Sequence, residues 1–432
     1  MGTKKASGKT TIIFIFICVK CTNLKNILKK TRKYAILSHR ITFDQDKSKR
    51  GISYMSNSGM TTIEVKRINR SKVYQMIYEK HSISKQELSQ QLHMGLTTVS
   101  QNLKALEEDG WIHRTGYYES TGGRKAQAIE IVPNARIAIG AFILKRSILL
   151  VAVDLYGNVI EQKMVAEIFS ATELYYQFLG KEIMRFANHI ESNPDKISGV
   201  GIAIQGVLSP DRSKIQYGKL LQHTTGLNIS DLTRYIPYPC FTEHDSKAAA
   251  FAEIWSQPQL SDAVVFLLNK NLGSALVIHG EVHQGKSMHS GTIEHMCIIP
   301  DGKPCYCGGR GCLEAYCSAE SLQNQIQGRS FEDFFHSVRK NEPQSNAVWE
   351  EYLSKLADAV RNVNTVIDSD VILSGFLVPY FTEADLKFLK QKITALPFFA
   401  ERDITILLGK HGEFAPAIGA ALPFVKNTVE GI

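Results

Sequence analysis

Cys305, Cys307 and Cys312 fall within eight residues of one another, and His295 lies ten residues upstream of the first. Thiolates and an imidazole are the usual tetrahedral ligands of zinc, and three Cys with one His form a recognised structural set. Gly308, Gly309 and Gly311 lie among the sulfurs and let the backbone turn tightly enough for them to converge. The C-x-C-x4-C spacing with its upstream His predicts a zinc site; the plainer alternative is a loop of free buried thiols. Cys297 and Cys317 flank the cluster outside its spacing and read as packing thiols. Nothing in the cluster says what the metal serves, so the elements that carry it have to supply the purpose.

The chain of 432 residues is long enough for two or three domains, and 44% hydrophobic with 21% charged residues is ordinary globular composition. Its net charge of +8 is unevenly spread: thirteen Lys/Arg against Asp44 and Asp46 put +11 on residues 1–60, leaving −3 on the rest. The basic excess therefore says little about the body. No apolar run approaches the roughly 18 residues of a membrane span. The longest near the start, Ile12–Val19, leads into Lys20-Cys21-Thr22-Asn23 rather than a small-residue cleavage site. Residues 1–60 read as a poorly structured basic leader, with Met55 or Met60 as an alternative start. Unpaired cysteine spacing and a metal cluster place the protein in a reducing cytoplasm.

Residues 61–132 read as three short helices and a hairpin. Val73, Met76 and Ile77 give the first helix an apolar stripe, and Ser84 with Glu87 forms a capping-box pair opening the second. The third runs from about Leu96 to Asp109, with Gly110 as its C-terminal cap. Val99, Leu103 and Leu106 share one face of it; the other carries Thr97, Thr98, Gln101 and Lys104, groups suited to base edges and phosphates. Two strands follow, with Gly122-Gly123-Arg124-Lys125 between them as a flexible cationic tip. That is the layout of a winged helix–turn–helix, against the alternative of a three-helix interaction domain. Ten basic against eight acidic residues over 61–135 is a modest charge, so specific DNA binding is expected to need the wing or a dimer.

After Val132-Pro133-Asn134, residues 135–432 show apolar runs of strand length at Ile137–Leu144, Ile148–Asp154 and Ile197–Ile204, then helices near Leu174–Ile190 and Lys247–Trp255. A second round reads Val264–Asn269, Ala275–Val282, Met296–Ile299 and, after helices, Val371–Ser374. Two such rounds predict two α/β lobes with a ligand cleft between them. Here the cluster's wider motif, Cys305-Tyr306-Cys307-Gly308-Gly309-Arg310-Gly311-Cys312-Leu313-Glu314, resembles the C-x-C-G-x-x-G-C-x-E of the ROK family, with Pro300, Gly302 and Ser318 fitting its flanks. These are sugar kinases and sugar-responsive repressors on the actin/hexokinase-like fold. The resemblance implies an α/β, two-lobed body with an N-terminal winged-helix DNA-binding domain, placing the chain with the repressor branch.

The resemblance also marks departures. Where the family's kinases carry a D-x-G-G-T phosphate turn, this chain has Phe142-Ile143-Leu144-Lys145-Arg146. The second phosphate loop reads Asn269-Lys270-Asn271-Leu272-Gly273, and the adenosine-side G-G reads Gly375-Phe376. Phosphoryl transfer needs nucleotide and metal held in line, so a kinase is not expected; residual kinase activity, or repression without any ligand, are the rival readings. On the sugar side the resemblance implies contacts from Gln205, Gly206, His244, Asp245, Thr292, His295 and Glu314, with Thr292 standing where the family has Glu and Glu294 where it has Gly. Asp245 has the alternative reading of a helix N-cap, and Glu314 of a first-turn charge. The expected partners are operator DNA, a sugar or sugar phosphate, and a second copy in a homodimer or homotetramer.

Overall fold

The computed structural model describes residues 61–118, 126–221, 224–401 and 404–432; the leader and the wing tip with Arg124 and Lys125 lie outside them. Helix α1 (Thr62–Lys80) begins at a capping box in which Thr61 and Glu64 satisfy each other's backbone amides. It is 19 residues long rather than short, because no breaker stands between that cap and the apolar stripe. Strand β1 (Ile83–Ser84) leads into α2 (Lys85–Leu92), whose Ser84–Glu87 capping box is formed. Helix α3 (Leu96–Glu108) buries Val99, Leu103 and Leu106, and Gly110 follows at φ +74°. Strands β2 (Ile112–Tyr117) and β3 (Gln127–Ile131) join β1 in a sheet ordered β1-β3-β2.

The first lobe holds β4 (Ile137–Ile143), β5 (Ser147–Val153), β6 (Val159–Ala166), α4 (Glu173–Ile190), β7 (Ile197–Ile204), β8 (Val207–Leu208), β9 (Ile215–Tyr217), β10 (Cys240–His244) and α5 (Asp245–Trp255). The second holds β11 (Ala263–Leu268), β12 (Leu272–Ile278), β13 (Glu281–Val282), α6 (Glu314–Cys317), α7 (Ala319–Gln325), α8 (Phe331–Arg339), α9 (Pro343–Val366), β14 (Asp370–Ser374), α10 (Glu383–Thr394) and β15 (Ile406–Leu408). Their sheets, β10-β7-β4-β5-β6 and β13-β12-β11-β14-β15, share one topology. In each, the first strand hairpins outward through two antiparallel neighbours and pairs in parallel on its other side.

The chain's last helix, α11 (Ala415–Gly431), returns to the first lobe. It presses so closely that a Cβ on Gly140 or Gly201 would sit 1.9 or 1.8 Å from the carbonyls of Ala417 or Ala420. An apolar cluster runs without a break from Val73, Ile77 and Leu103 through Ile129, Ala138 and Val151 to Leu422 and Val425 of α11. The winged-helix module thus shares a core with one face of the first lobe, an arrangement that resists independent motion. The run Met296–Ile299 is not a strand: apart from a single bridge between Cys297 and Cys312, its path is set by the sulfur-bearing loop.

Candidate functional site

His295, Cys305, Cys307 and Cys312 converge as their spacing predicts, their ligand atoms all within 4.8 Å of one another. Cys305 Sγ lies 3.6 Å from His295 Nδ1, and Cys307 Sγ lies 3.7 Å from Cys312 Sγ. The loop is stitched by Cys305 N–H donating to the Gly309 carbonyl and Gly308 N–H to the Cys305 carbonyl. The Gly309 N–H donates to Cys307 Sγ, the kind of bond that favours a thiolate. Gly311 sits at φ +73°, and a Cβ there would meet the Ile299 carbonyl at 1.7 Å, so no other residue fits. Burial pushes the Cys312 thiol above its ordinary range and holds His295 below its own, while Cys307, against its own burial, is brought down by the Gly309 N–H and its neighbouring thiols, so the site favours a neutral imidazole beside one readily ionised sulfur. The four residues could hold a metal ion. Cys317 is buried against the Tyr352 carbonyl as a packing thiol, whereas Cys297 is exposed and does not pack.

Directly beside the cluster, a cavity of about 310 Å³ opens between the lobes. Gln205, Gly206, His244, Asp245, Thr292 and His295 all line it, together with Asn271, His289, Tyr306 and Glu294. Asp245 is the first residue of α5 and His244 the N-cap, so the capping position belongs to the histidine. The Asp245 Oδ1 accepts from the Ser246 N–H at 2.8 Å, and Gln205 also hydrogen-bonds this carboxyl. Burial nevertheless outweighs these bonds and pushes Asp245 up to about 7. The same burial, with Lys247 nearby, takes His244 down to about 4. A buried carboxyl near neutrality beside a neutral imidazole suits hydroxyl groups, which both donate and accept.

Glu314 is placed otherwise. Its carboxylate is buried and occupied, accepting from Asn271 Nδ2 at 3.1 Å and from the Leu272 N–H at 2.6 Å, and it does not line the cavity. It fixes the β11–β12 turn to the cluster-bearing loop. Glu294 is the acid the sequence did not single out. It is buried, hydrogen-bonds Ser274 Oγ at 2.5 Å and lines the cavity, while Thr292 beside it donates its hydroxyl to the His289 carbonyl. The signal lay two residues downstream: an acid standing where the family pattern has glycine is free to reach the cleft. In the module, Thr97, Gln101 and Lys104 are exposed and Thr98 half-exposed on α3, opposite its buried stripe.

The fold and site together define a two-lobed body, with a cavity between the lobes and a His/Cys loop beside it, fused to a winged-helix module. The ROK family model matches residues 145–426 and a winged helix-turn-helix DNA-binding model matches residues 66–113. The chain belongs to the ROK family. It is 22% identical over 376 residues to the xylose repressor of Bacillus subtilis (strain 168), covering 85% of this chain and 97% of that protein. It is 23% identical over 264 residues to the DNA-binding transcriptional dual regulator NagC of Escherichia coli (strain K12), covering 61% and 65%. A crystal structure of a ROK family transcriptional regulator, a homolog of the E. coli MLC protein, superposes with a TM-score of 0.67 at 21% identity over 85% of this chain and 97% of that one. The ROK family glucokinase from Streptomyces griseus, solved with glucose and AMPPNP, gives 0.58 at 18% identity over 66% and 98%. These structural likenesses carry the fold.

Proposed function

We propose that the chain is a cytoplasmic, sugar-responsive transcriptional repressor in which ligand bound between the lobes alters a homodimer's grip on operator DNA. One observation carries this reading: a continuous path joins the cleft to the DNA-binding module. Helix α5 begins at Asp245 in the cavity and ends about 15 Å away at Trp255, ten steps of about 1.5 Å along an 11-residue helix. The Trp255 indole N–H donates to the Tyr156 carbonyl at 2.9 Å. A Cβ on Gly157 would lie 2.7 Å from that nitrogen, and Gly157 sits at φ +84°, so the turn admits only glycine. Asp154 holds the same turn by accepting from the N–H groups of Tyr156 and Asn158. Tyr78 of α1 stacks on Tyr156 at 5.0 Å, its hydroxyl donating to the Leu155 carbonyl, and His81 lies 4.7 Å from the same ring.

A ligand that binds one angle between the lobes better than another would bias α5, and through it α1. Trp255→Phe keeps the ring bulk and deletes the donor. It is expected to leave ligand affinity within about twofold while shrinking the ligand-dependent change in DNA affinity, with a stability cost of about 1–2 kcal/mol. Titrating DNA with and without ligand checks it; full coupling in the variant would remove this path from the account.

Zinc is the metal proposed for the cluster. A tetrahedral ion with Zn–S of about 2.3 Å and Zn–N of about 2.05 Å has edges of about 3.8 Å between sulfurs and about 3.6 Å between sulfur and nitrogen. The 3.7 and 3.6 Å separations match both. With His295 both a ligand and a cavity wall, the ion would hold the loop that faces the sugar. Gln205, His244, Asp245, Thr292 and Glu294 would contact its hydroxyls, with Glu314 holding the Asn271–Leu272 turn from behind.

Phosphoryl transfer finds no support. The β4–β5 turn is built from apolar and long cationic side chains, and the Leu272 N–H is already taken by Glu314. On the DNA side, Thr97, Thr98, Gln101 and Lys104 would face the major groove, with Arg124 and Lys125 on the wing. Gln101→Ala is expected to lower specific affinity by about tenfold and leave random-sequence binding nearly unchanged. Arg124→Ala with Lys125→Ala should weaken both and flatten the salt dependence by up to about two charges. Binding isotherms at several salt concentrations separate the two effects; an unchanged slope would remove the wing from the interface.

A further inference from the structure

A second cavity, of about 400 Å³, lies in the same cleft on the far side of Gln205, which lines both. Its walls come from both lobes. Phe142, Leu144 and Leu149 stand on one side; Phe331 and Phe376, 5.3 Å apart and edge-to-face, stand on the other. The position of Phe376 is fixed: its N–H donates to Asn269 Oδ1 at 2.8 Å, and a Cβ on Gly375 would approach that oxygen to 2.5 Å. The Asn269 carbonyl is thereby used, while its Nδ2 has no partner among the described residues and remains a donor at the cavity wall. The charged lining is Lys270, Glu320 and Glu413, and Lys270 is paired with Glu320 at 3.5 Å. Among the described residues lining it no cation is left unpaired for a phosphate, and Glu413 would repel one.

We infer that this cavity takes the uncharged aromatic or apolar aglycone of a glycoside whose sugar ring occupies the polar cavity across Gln205. The inference rests on the sugar reading above and narrows it from a free sugar to a bipartite ligand. Aromatic and aliphatic walls with a few polar groups, here the amides of Gln205, Asn269, Gln323 and Asn324, are the usual lining of small-molecule sites. Aromatic rings set edge-to-face favour a third ring over an aliphatic acid or an anion. The two cavities adjoin along the Asn269–Leu272 turn, with Asn269 and Lys270 facing one and Asn271 and Leu272 the other, so a single molecule can span them. Its sugar would be read by carboxyls and imidazoles, and its aglycone by burial.

The test is calorimetric titration of the full chain with D-glucose, D-xylose and N-acetyl-D-glucosamine, with their phenyl glycosides in both anomers, and with ATP. Burying a phenyl ring should make at least one phenyl glycoside bind roughly tenfold or more tighter than its parent sugar. Phe376→Ala should erase most of that gain and leave the parent sugar's affinity within about twofold; Leu144→Ser, at a half-buried position, serves if the first variant does not fold. Asp245→Asn should weaken sugar and glycoside alike. A sugar that binds as tightly as its phenyl glycosides overturns the bipartite ligand while leaving the sugar reading intact. ATP binding that Phe376→Ala abolishes assigns the cavity to a nucleotide and overturns it too. Binding of none of these compounds counts against both readings.

Discussion

Cys307→Ser is expected to strip the body of bound zinc and lower its melting temperature by about 10 °C, from a loss of about 3–5 kcal/mol in a body of this size. The sulfur lost is one of four ligand atoms drawn within 4.8 Å of one another, in a loop whose tight path depends on Gly311. Without the ion, the two remaining sulfurs, the new hydroxyl and an imidazole would be left crowded around an empty centre, and they offer little packing in return. The loop also carries Tyr306, whose carbonyl accepts from Lys219 Nζ across the cleft at 3.4 Å, so its collapse would disturb the sugar cavity as well. Metal content by mass spectrometry and thermal unfolding with and without a chelator check this together. Equal metal content and a melting temperature within a degree or two of the parent would show that the cluster is a thiol loop.

Asp245→Asn should have the opposite effect on stability while removing ligand response. In an unfolded chain an aspartate ionises near about 3.9; in the cleft burial pushes it up to about 7. The folded protein therefore holds a proton that the unfolded chain has released, and stability is lost as pH rises from about 4 to about 7 and stays low above. Asparagine carries no such proton. Its advantage should be absent near pH 4, partial at pH 5 and full at pH 8, where a gain of about 3–6 °C is expected from one to two kcal/mol. The full shift of three pKa units would correspond to at most about 4 kcal/mol, and relaxation of the cleft would reduce it. Melting curves at pH 5 and 8 read the sign; an equal loss of stability at both would mean that Asp245 is an ionised, well-paired carboxylate.

Much of this was legible because the informative residues are local. The cysteine spacing, the Ser84–Glu87 capping box and the buried stripe of α3 each depend on neighbours within about one turn of chain. The β7 limits follow from a run that is apolar but for Ser198, between Lys196 and Gln205. Strand β6 was not legible: its residues are nearly all exposed or half-exposed on the edge of the sheet, so Val159–Ala166 shows no alternation to read. Strand β10 was hidden as well, since only its last residue, His244, stood out in the sequence. Two site residues turned on contacts 20 or more positions apart. The Glu314 carboxylate is taken up by Asn271 and the Leu272 N–H, and Glu294 is held at the cavity wall by Ser274. No pattern within the Glu314 segment carries that information, and for Glu294 the one local signal is an acid standing where the family pattern has glycine. The relay through Trp255 is likewise a meeting of segments 99 residues apart, visible only once α5 and the Tyr156 turn are folded together.

The central claim is that one molecule in the cleft changes the affinity of the module for DNA. Fluorescence anisotropy with a duplex selected by this protein from a random library tests it, with and without the sugar or glycoside that most raises the melting temperature. At least a fivefold change in DNA affinity is expected, a coupling of about 1 kcal/mol or more, that disappears in Asp245→Asn. Superimposable binding curves with and without a ligand shown to occupy the cleft would contradict it.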